Sequence, residues 1–160
     1  MFKKGERIVY PMYGAGVVEN IEQRVLKDKI ESYYVFRMFS GNMVIRLLTD
    51  RSAKVGIRSI NKKEKVMDAL HHVAPNPAVC SGHWNQRYKE HLEKIKSGNF
   101  EEVLEVVRNL QYRERTRGLS GIEKKMLTNA KQIVLSEVIC AAEVDKKEAE
   151  EMLNQNLITC

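Results

Sequence analysis

The chain has 160 residues, 43% of them hydrophobic and 30% charged, with a formal net charge of +6 at pH 7. This is the composition of an ordinary soluble globular protein, long enough to bury a core without disulfides. It excludes a membrane-spanning chain, because no apolar run approaches the roughly 18 residues that a span requires. The opening MFKKGERIVYP has no apolar segment followed by small residues, so the expected location is the cytoplasm rather than a secretory route. Cys80, Cys140 and Cys160 are odd in number and widely spaced, which suits free thiols in a reducing compartment.

Up to about residue 60 the pattern has period two and is punctuated by glycine. RIVY (7–10) is a first short strand, ended by Pro11 and a turn around Gly14 and Gly16. GVVENIEQRV, ESYYVFRMF and NMVIRLL follow as longer strands joined by LKDKI and SGN, and VGIRSI supplies a fifth. In the fourth strand Met43, Ile45 and Leu47 fall on one face, with Val44, Arg46 and Leu48 on the other. Such short antiparallel strands predict a small SH3-like or Tudor-like barrel over residues 1–64.

Between 65 and 80 a short helical piece over Val66–Leu70 is followed by Pro75 and Pro77. The prolines predict a connector and a domain boundary. From 81 to 160 the period becomes helical. Ser81 is a candidate cap for a helix to about Lys96, Asn99 with Glu102 opens a second, Ser120 with Glu123 forms a capping box, and Asp145 with Glu148 opens a last helix. The expected fold is therefore α+β in two domains, a β-barrel followed by an all-α bundle of four to five helices.

Charge is unevenly placed. Residues 1–73 carry 14 Lys and Arg against 8 Asp and Glu, whereas 74–160 carry 13 of each. Within the second half, 84–131 hold 11 basic and 7 acidic side chains, and 132–160 hold 2 and 6. A basic flank is available for phosphate, but the domain is not strongly basic.

Enzyme chemistry finds no support. YGAG lacks the third glycine and helix of a dinucleotide fingerprint, no phosphate loop occurs, and no nucleophile stands at a convincing spacing from a base. Cys80 and His83 make C-x-x-H, with His71, His72 and His91 nearby, but an adjacent His-His pair aims both rings poorly at one zinc ion, so no metal or other cofactor is expected. RGLSG between two helices permits a helix-turn-helix, yet Ile122, Met126, Ile133, Val134 and Val138 form a stripe that suits bundle packing. Trp84 leaves two readings open. Trp84, Tyr88, Leu92 and Ile95 recur along one helical face, which suits a core residue. Trp84 also stands in the first turn, flanked by Arg87 and Lys89, where an indole can overhang the bundle and lean on an unstacked base step.

Two stretches carry a family resemblance. KGERIVYPMYGAGVVENIEQR, and HWNQRYKEHLEKIKSGNFEEVLEVVRNLQYRERTRGLSGIEKKMLTNAKQIVLSEV after the connector, resemble the CarD/CdnL family of bacterial transcription regulators in both order and spacing. The resemblance implies a non-enzymatic protein with two jobs. A Tudor-like domain would dock on the RNA polymerase β subunit through Arg24 and Arg46. A helical domain would touch promoter DNA in the minor groove, largely independently of sequence, at the upstream edge of the melted bubble, with Trp84 as wedge and Arg87 and Lys89 as the neighbouring basic residues. Gln86 stands where a second base before the tyrosine is expected. The implied outcome is a stabilised open promoter complex, with the protein reaching the nucleoid through polymerase; a monomer is expected, although nothing in the residues forbids pairing of surface strands between chains. A protein-binding adaptor that buries Trp84 and makes no DNA contact is the alternative.

Overall fold

The structure, a computed structural model, describes residues 1–80 and 82–155. Five strands open the chain: β1 (Arg7–Tyr10), β2 (Gly14–Leu26), β3 (Lys29–Met38), β4 (Val44–Leu48) and β5 (Arg58–Ser59), with the single helical turn α1 (Ser52–Val55) before the last. All pair antiparallel in the order β4-β3-β2-β1-β5. The strands match the alternation of the sequence, but the barrel is a correction. β5 is only two residues long and pairs with β1 alone, so the curved sheet stays open. A bulge between Val18 and Asn20 adds one residue, Glu19, which forms a 2.8 Å ion pair with Arg37 on β3; bulges sharpen the local twist of a strand.

One side of the sheet holds Ile8, Val18, Tyr34, Phe36 and Met38, all fully buried, with Ile45 and Leu47 against them. The register places Val9, Ala15, Val17, Tyr33, Val35, Arg37, Arg46 and Leu48 on the opposite side. That second side is divided. Near the β1–β2 turn, Val9 and Ala15 pack on Cys140 of the helical domain, while the far end carries arginines into solvent.

Helices α2 (Lys63–His72), α3 (Pro77–Cys80), α4 (Trp84–Ser97), α5 (Phe100–Thr116), α6 (Gly121–Ala142) and α7 (Lys146–Gln155) complete the described chain. The bundle thus has more helices than the four to five expected. The segment read as a connector is also part of the core: Val66, Ala69 and Leu70 of α2 are buried with Val103, Leu104, Val107, Val134 and Leu153. Three apolar residues at helical spacing outweighed the following prolines, which only end the helix. The expected caps at Asn99, Ser120 and Asp145 are formed, at 3.1, 3.2 and 2.8 Å. Ser81 lies outside the described residues, and α4 starts at Trp84 after His83, which supplies no side-chain cap. It ends at Gly98, left-handed at φ 70°. Of the stripe assigned to α6, Met126, Ile133, Val134 and Val138 are buried, but Ile122 is exposed.

Candidate polymerase-binding face and nucleic-acid edge

On the free end of the second sheet side, Arg24 and Arg46 meet around one carboxylate. Arg24 lies 3.8 Å and Arg46 3.6 Å from Glu22, and their side chains stay 57% and 51% exposed. Cross-strand register brings them together: Arg24 faces Glu31, Glu22 faces Tyr33, and Arg46 faces Val35. The Arg24 guanidinium sits 5.6 Å from the centroid of the Tyr33 ring, and the Tyr33 hydroxyl donates to Glu31 at 2.9 Å. One carboxylate between two guanidinium groups leaves most of their ten N–H donors free for an outside acceptor. Long, loose pairs of this kind contribute little to stability, roughly 0–1 kcal/mol each.

The second edge lies at the start of α4. The face formed by Ile95, Leu92, Tyr88 and Trp84 runs outward: Ile95 is buried, Leu92 and Tyr88 are half-buried, and Trp84 is 40% exposed. The indole stacks on Tyr88, with ring centroids 5.5 Å apart and an interplanar angle of 12°. Its Nε1 points at the Ser120 hydroxyl, 3.5 Å away, at the start of α6. Trp84 is therefore neither a fully buried core residue nor a free side chain. One ring face is seated on the bundle and the rest reaches solvent. Lys89, Lys124 and Lys125 are exposed on the same two helices.

Arg87 departs from expectation. Its side chain is 3% exposed and pairs with Glu123, Nε to Oε2 at 3.0 Å, while Nη1 donates to the Gly82 carbonyl at 2.7 Å. In this arrangement the guanidinium cannot reach an outside phosphate, so its assignment to DNA is corrected to a brace between α4 and α6. The physical reason is periodicity: three residues after Trp84, Arg87 turns inward, where the N3 carboxylate of the capping box waits. Burial alone would raise the Glu123 carboxyl, but the Arg87 bonds and the Ser120 donors outweigh it and hold it below the usual carboxylate range. The capping box was visible in the sequence; its second use as the partner of Arg87 was not.

Neighbouring titratable groups are occupied with structure. His91 is buried, and Asn109 fixes its state: the Asn109 Oδ1 accepts from the Asn76 N–H at 2.6 Å, so its Nδ2 donates to His91 Nε2 at 3.2 Å. Desolvation, then the nearby Lys94 charge, lowers the imidazole to about 4. Cys80 is buried with its thiol toward the Asn109 carbonyl at 3.6 Å. Among the described residues no three His, Cys, Asp or Glu side chains gather as a metal-binding group, and no helix is long and apolar enough to cross a membrane. The helix-turn-helix reading also changes, because the second half of α6 is buried between bundle and sheet.

Comparison with known proteins agrees with this layout. Residues 2–61 match the family model for the CarD-like/TRCF RID domain, and residues 65–154 match that for the CarD C-terminal domain. The chain is 36% identical over 138 residues to a protein of Bacillus subtilis (strain 168) described as putative transcription factor YdeB, covering 86% of this chain and 90% of that one. The first match ends just after β5 and the second begins in the first turn of α2, where the sheet gives way to the bundle. The chain belongs to the CarD family, a family of transcription factors that interact with RNA polymerase rather than an enzyme class.

Proposed function

We propose that this protein docks on the RNA polymerase β subunit through the Arg24 and Arg46 face and prolongs the life of the promoter open complex by leaning Trp84 on DNA at the upstream edge of the bubble. The observation that carries the reading is the presentation of Trp84. A buried core tryptophan has no free ring face, whereas this one is backed by Tyr88 and half open to solvent. A stacked backing keeps the indole in one orientation, so little entropy is lost when it meets a base step.

The chemistry of the rest is consistent. Arg24 and Arg46 suit an acidic partner surface because guanidinium forks recognise carboxylates bidentately. The helical domain holds few cations near the wedge, Lys89 first among them, so its affinity for free DNA is low and shows little sequence preference. Tethering to polymerase raises the local concentration toward the millimolar range, and the weak contact becomes occupied. Insertion where bases are already parting avoids much of the few kcal/mol that unstacking an intact duplex costs. The protein then favours the open state over the closed one, which is what a population shift requires. It acts as a monomer on this reading, one copy per polymerase.

The test is a pulldown on holoenzyme together with open-complex decay after competitor addition. Arg46→Glu should lose binding to the β subunit and Trp84→Ala should retain it while losing the effect on decay. Retained binding by Arg46→Glu would remove the docking assignment. An unchanged effect with Trp84→Ala would remove the wedge and favour an adaptor without DNA contact.

A further inference from the structure

The two edges stand on different domains, and the seam between those domains is built from side chains that neither edge uses. Gly14, at φ 90°, lets the β1–β2 turn approach α6 so closely that a Cβ there would lie 2.6 Å from the Ser136 hydroxyl. That hydroxyl accepts from the Ala15 N–H at 2.9 Å and donates to the Ile133 carbonyl at 2.7 Å. Pro11 packs on Gly98, where a Cβ would meet its ring at 2.9 Å. Arg7 donates to the Cys140 carbonyl at 3.0 Å.

Arg58 of β5 is the central element. Its Nη2 and Nη1 donate to the two carboxylate oxygens of Glu137 at 2.7 and 2.9 Å. Its Nε and Nη2 donate to the Gly98 carbonyl at 3.0 and 2.8 Å. The Asn61 N–H also donates to Glu137, at 2.9 Å. Glu137 is 2% exposed. One guanidinium from the sheet therefore grips α6 through a carboxylate and α4 through its C-terminal carbonyl. At the other end of these same helices, Glu123 of α6 holds Arg87 of α4, three residues from Trp84. Glu123 and Glu137 are 14 residues apart, about 21 Å along the helix at 1.5 Å per residue. The part-buried Arg58 clamp, the two helices, the buried Arg87–Glu123 pair and the stacking of Trp84 on Tyr88 together connect the sheet to the indole.

We infer that Arg58 and Glu137 are positioning residues for Trp84, fixing its distance and angle from the Arg24 and Arg46 face so that docking on polymerase delivers the indole to one place. This rests on the proposed function. A wedge on a rigid arm is preorganised, whereas the same wedge on a loose arm must be ordered at the moment of contact, which weakens it without changing its chemistry. The seam, and not only the two edges, then determines how strongly the open complex is held.

The experiment uses the full chain with Arg58→Lys, Arg58→Met and the double variant Arg58→Met/Glu137→Met; the last removes both charges and leaves no unpaired buried carboxylate to unfold the protein. Backbone ¹⁵N relaxation reads domain motion, holoenzyme binding reads the docking face, and open-complex decay at saturating protein reads the wedge. Wild type should tumble as one body. The double variant should remain folded, tumble as two loosely joined domains, bind holoenzyme within about twofold of wild type, and lose about tenfold of the lifetime gain, comparable to a change from a fixed to a flexible tether. Arg58→Lys, which keeps the charge but cannot grip both helices, should fall between. Single-body tumbling of the double variant would overturn the clamp, and a full lifetime gain with two-body tumbling would overturn the positioning role. If wild type itself leaves the lifetime unchanged, the proposed function fails and the positioning role with it, while tumbling still decides whether the clamp exists.

Discussion

Arg24 and Arg46, at the free end of the sheet, differ from Arg58 of β5 and Arg87 of α4 in how their charge is used. The first two share a single carboxylate at 3.8 and 3.6 Å and remain about half exposed. The second two each hold their own buried carboxylate at 2.7 and 3.0 Å and add bonds to backbone carbonyls. An exposed, under-satisfied guanidinium keeps donors for a partner, whereas one held by a buried carboxylate and a backbone carbonyl sets geometry. The sign and type of a residue therefore do not separate the two pairs; the number of internal acceptors each one finds does.

The sharpest way to break the comparison is to remove one member of each class. Arg87→Met leaves Glu123 charged and buried without its partner, so urea denaturation should show a loss of about 3–5 kcal/mol. Arg24→Met, measured the same way, should change stability by less than about 1 kcal/mol. Comparable losses in the two variants would erase the distinction. His91, beside the Arg87 brace, sharpens it through pH. Its folded value of about 4 lies below an unfolded value near 6.5. The unfolded chain then binds the extra proton, so stability is full above pH 6.5 and falls as pH drops toward 4, by about 3 kcal/mol from this group. His91→Gln should flatten that slope in denaturation curves taken across the window. Gly14→Ala probes the seam that carries Arg58. At φ 90° and with the Ser136 hydroxyl in the way, it should cost about 1–3 kcal/mol. The smallest effect belongs to Lys89, exposed and unpaired with any carboxylate in the described ion pairs. Lys89→Ala should leave stability unchanged and lower the salt slope of DNA binding by about 1.

Much of this layout was legible in the sequence, for local reasons. Alternation fixed the strands and the facing of Arg46, because a strand's period of two depends on nothing beyond the strand. Caps at Asn99, Ser120 and Asp145 could be read because a cap and its N–H lie three residues apart. Three things could not be read. Closure of the barrel depends on whether β5 reaches β4, which two residues at the far end decide. The inward turn of Arg87 depends on Glu123, 36 residues away, and basic residues beside an exposed tryptophan look alike in sequence whether they face solvent or a carboxylate. The seam hides in YPMYGAG, whose glycines read as turn residues, while Gly14 also makes room for Ser136 of a helix 122 positions later.

On the function we propose, the half-exposed, Tyr88-backed Trp84 holds the bubble edge open while the sheet holds polymerase. This role is tested most directly by the decay of a promoter open complex on purified holoenzyme after competitor addition, without protein, with wild type and with Trp84→Ala at equal occupancy of polymerase. Decay should be slower with wild type and near the protein-free rate with Trp84→Ala. Equal slowing by both, with binding confirmed, would contradict it.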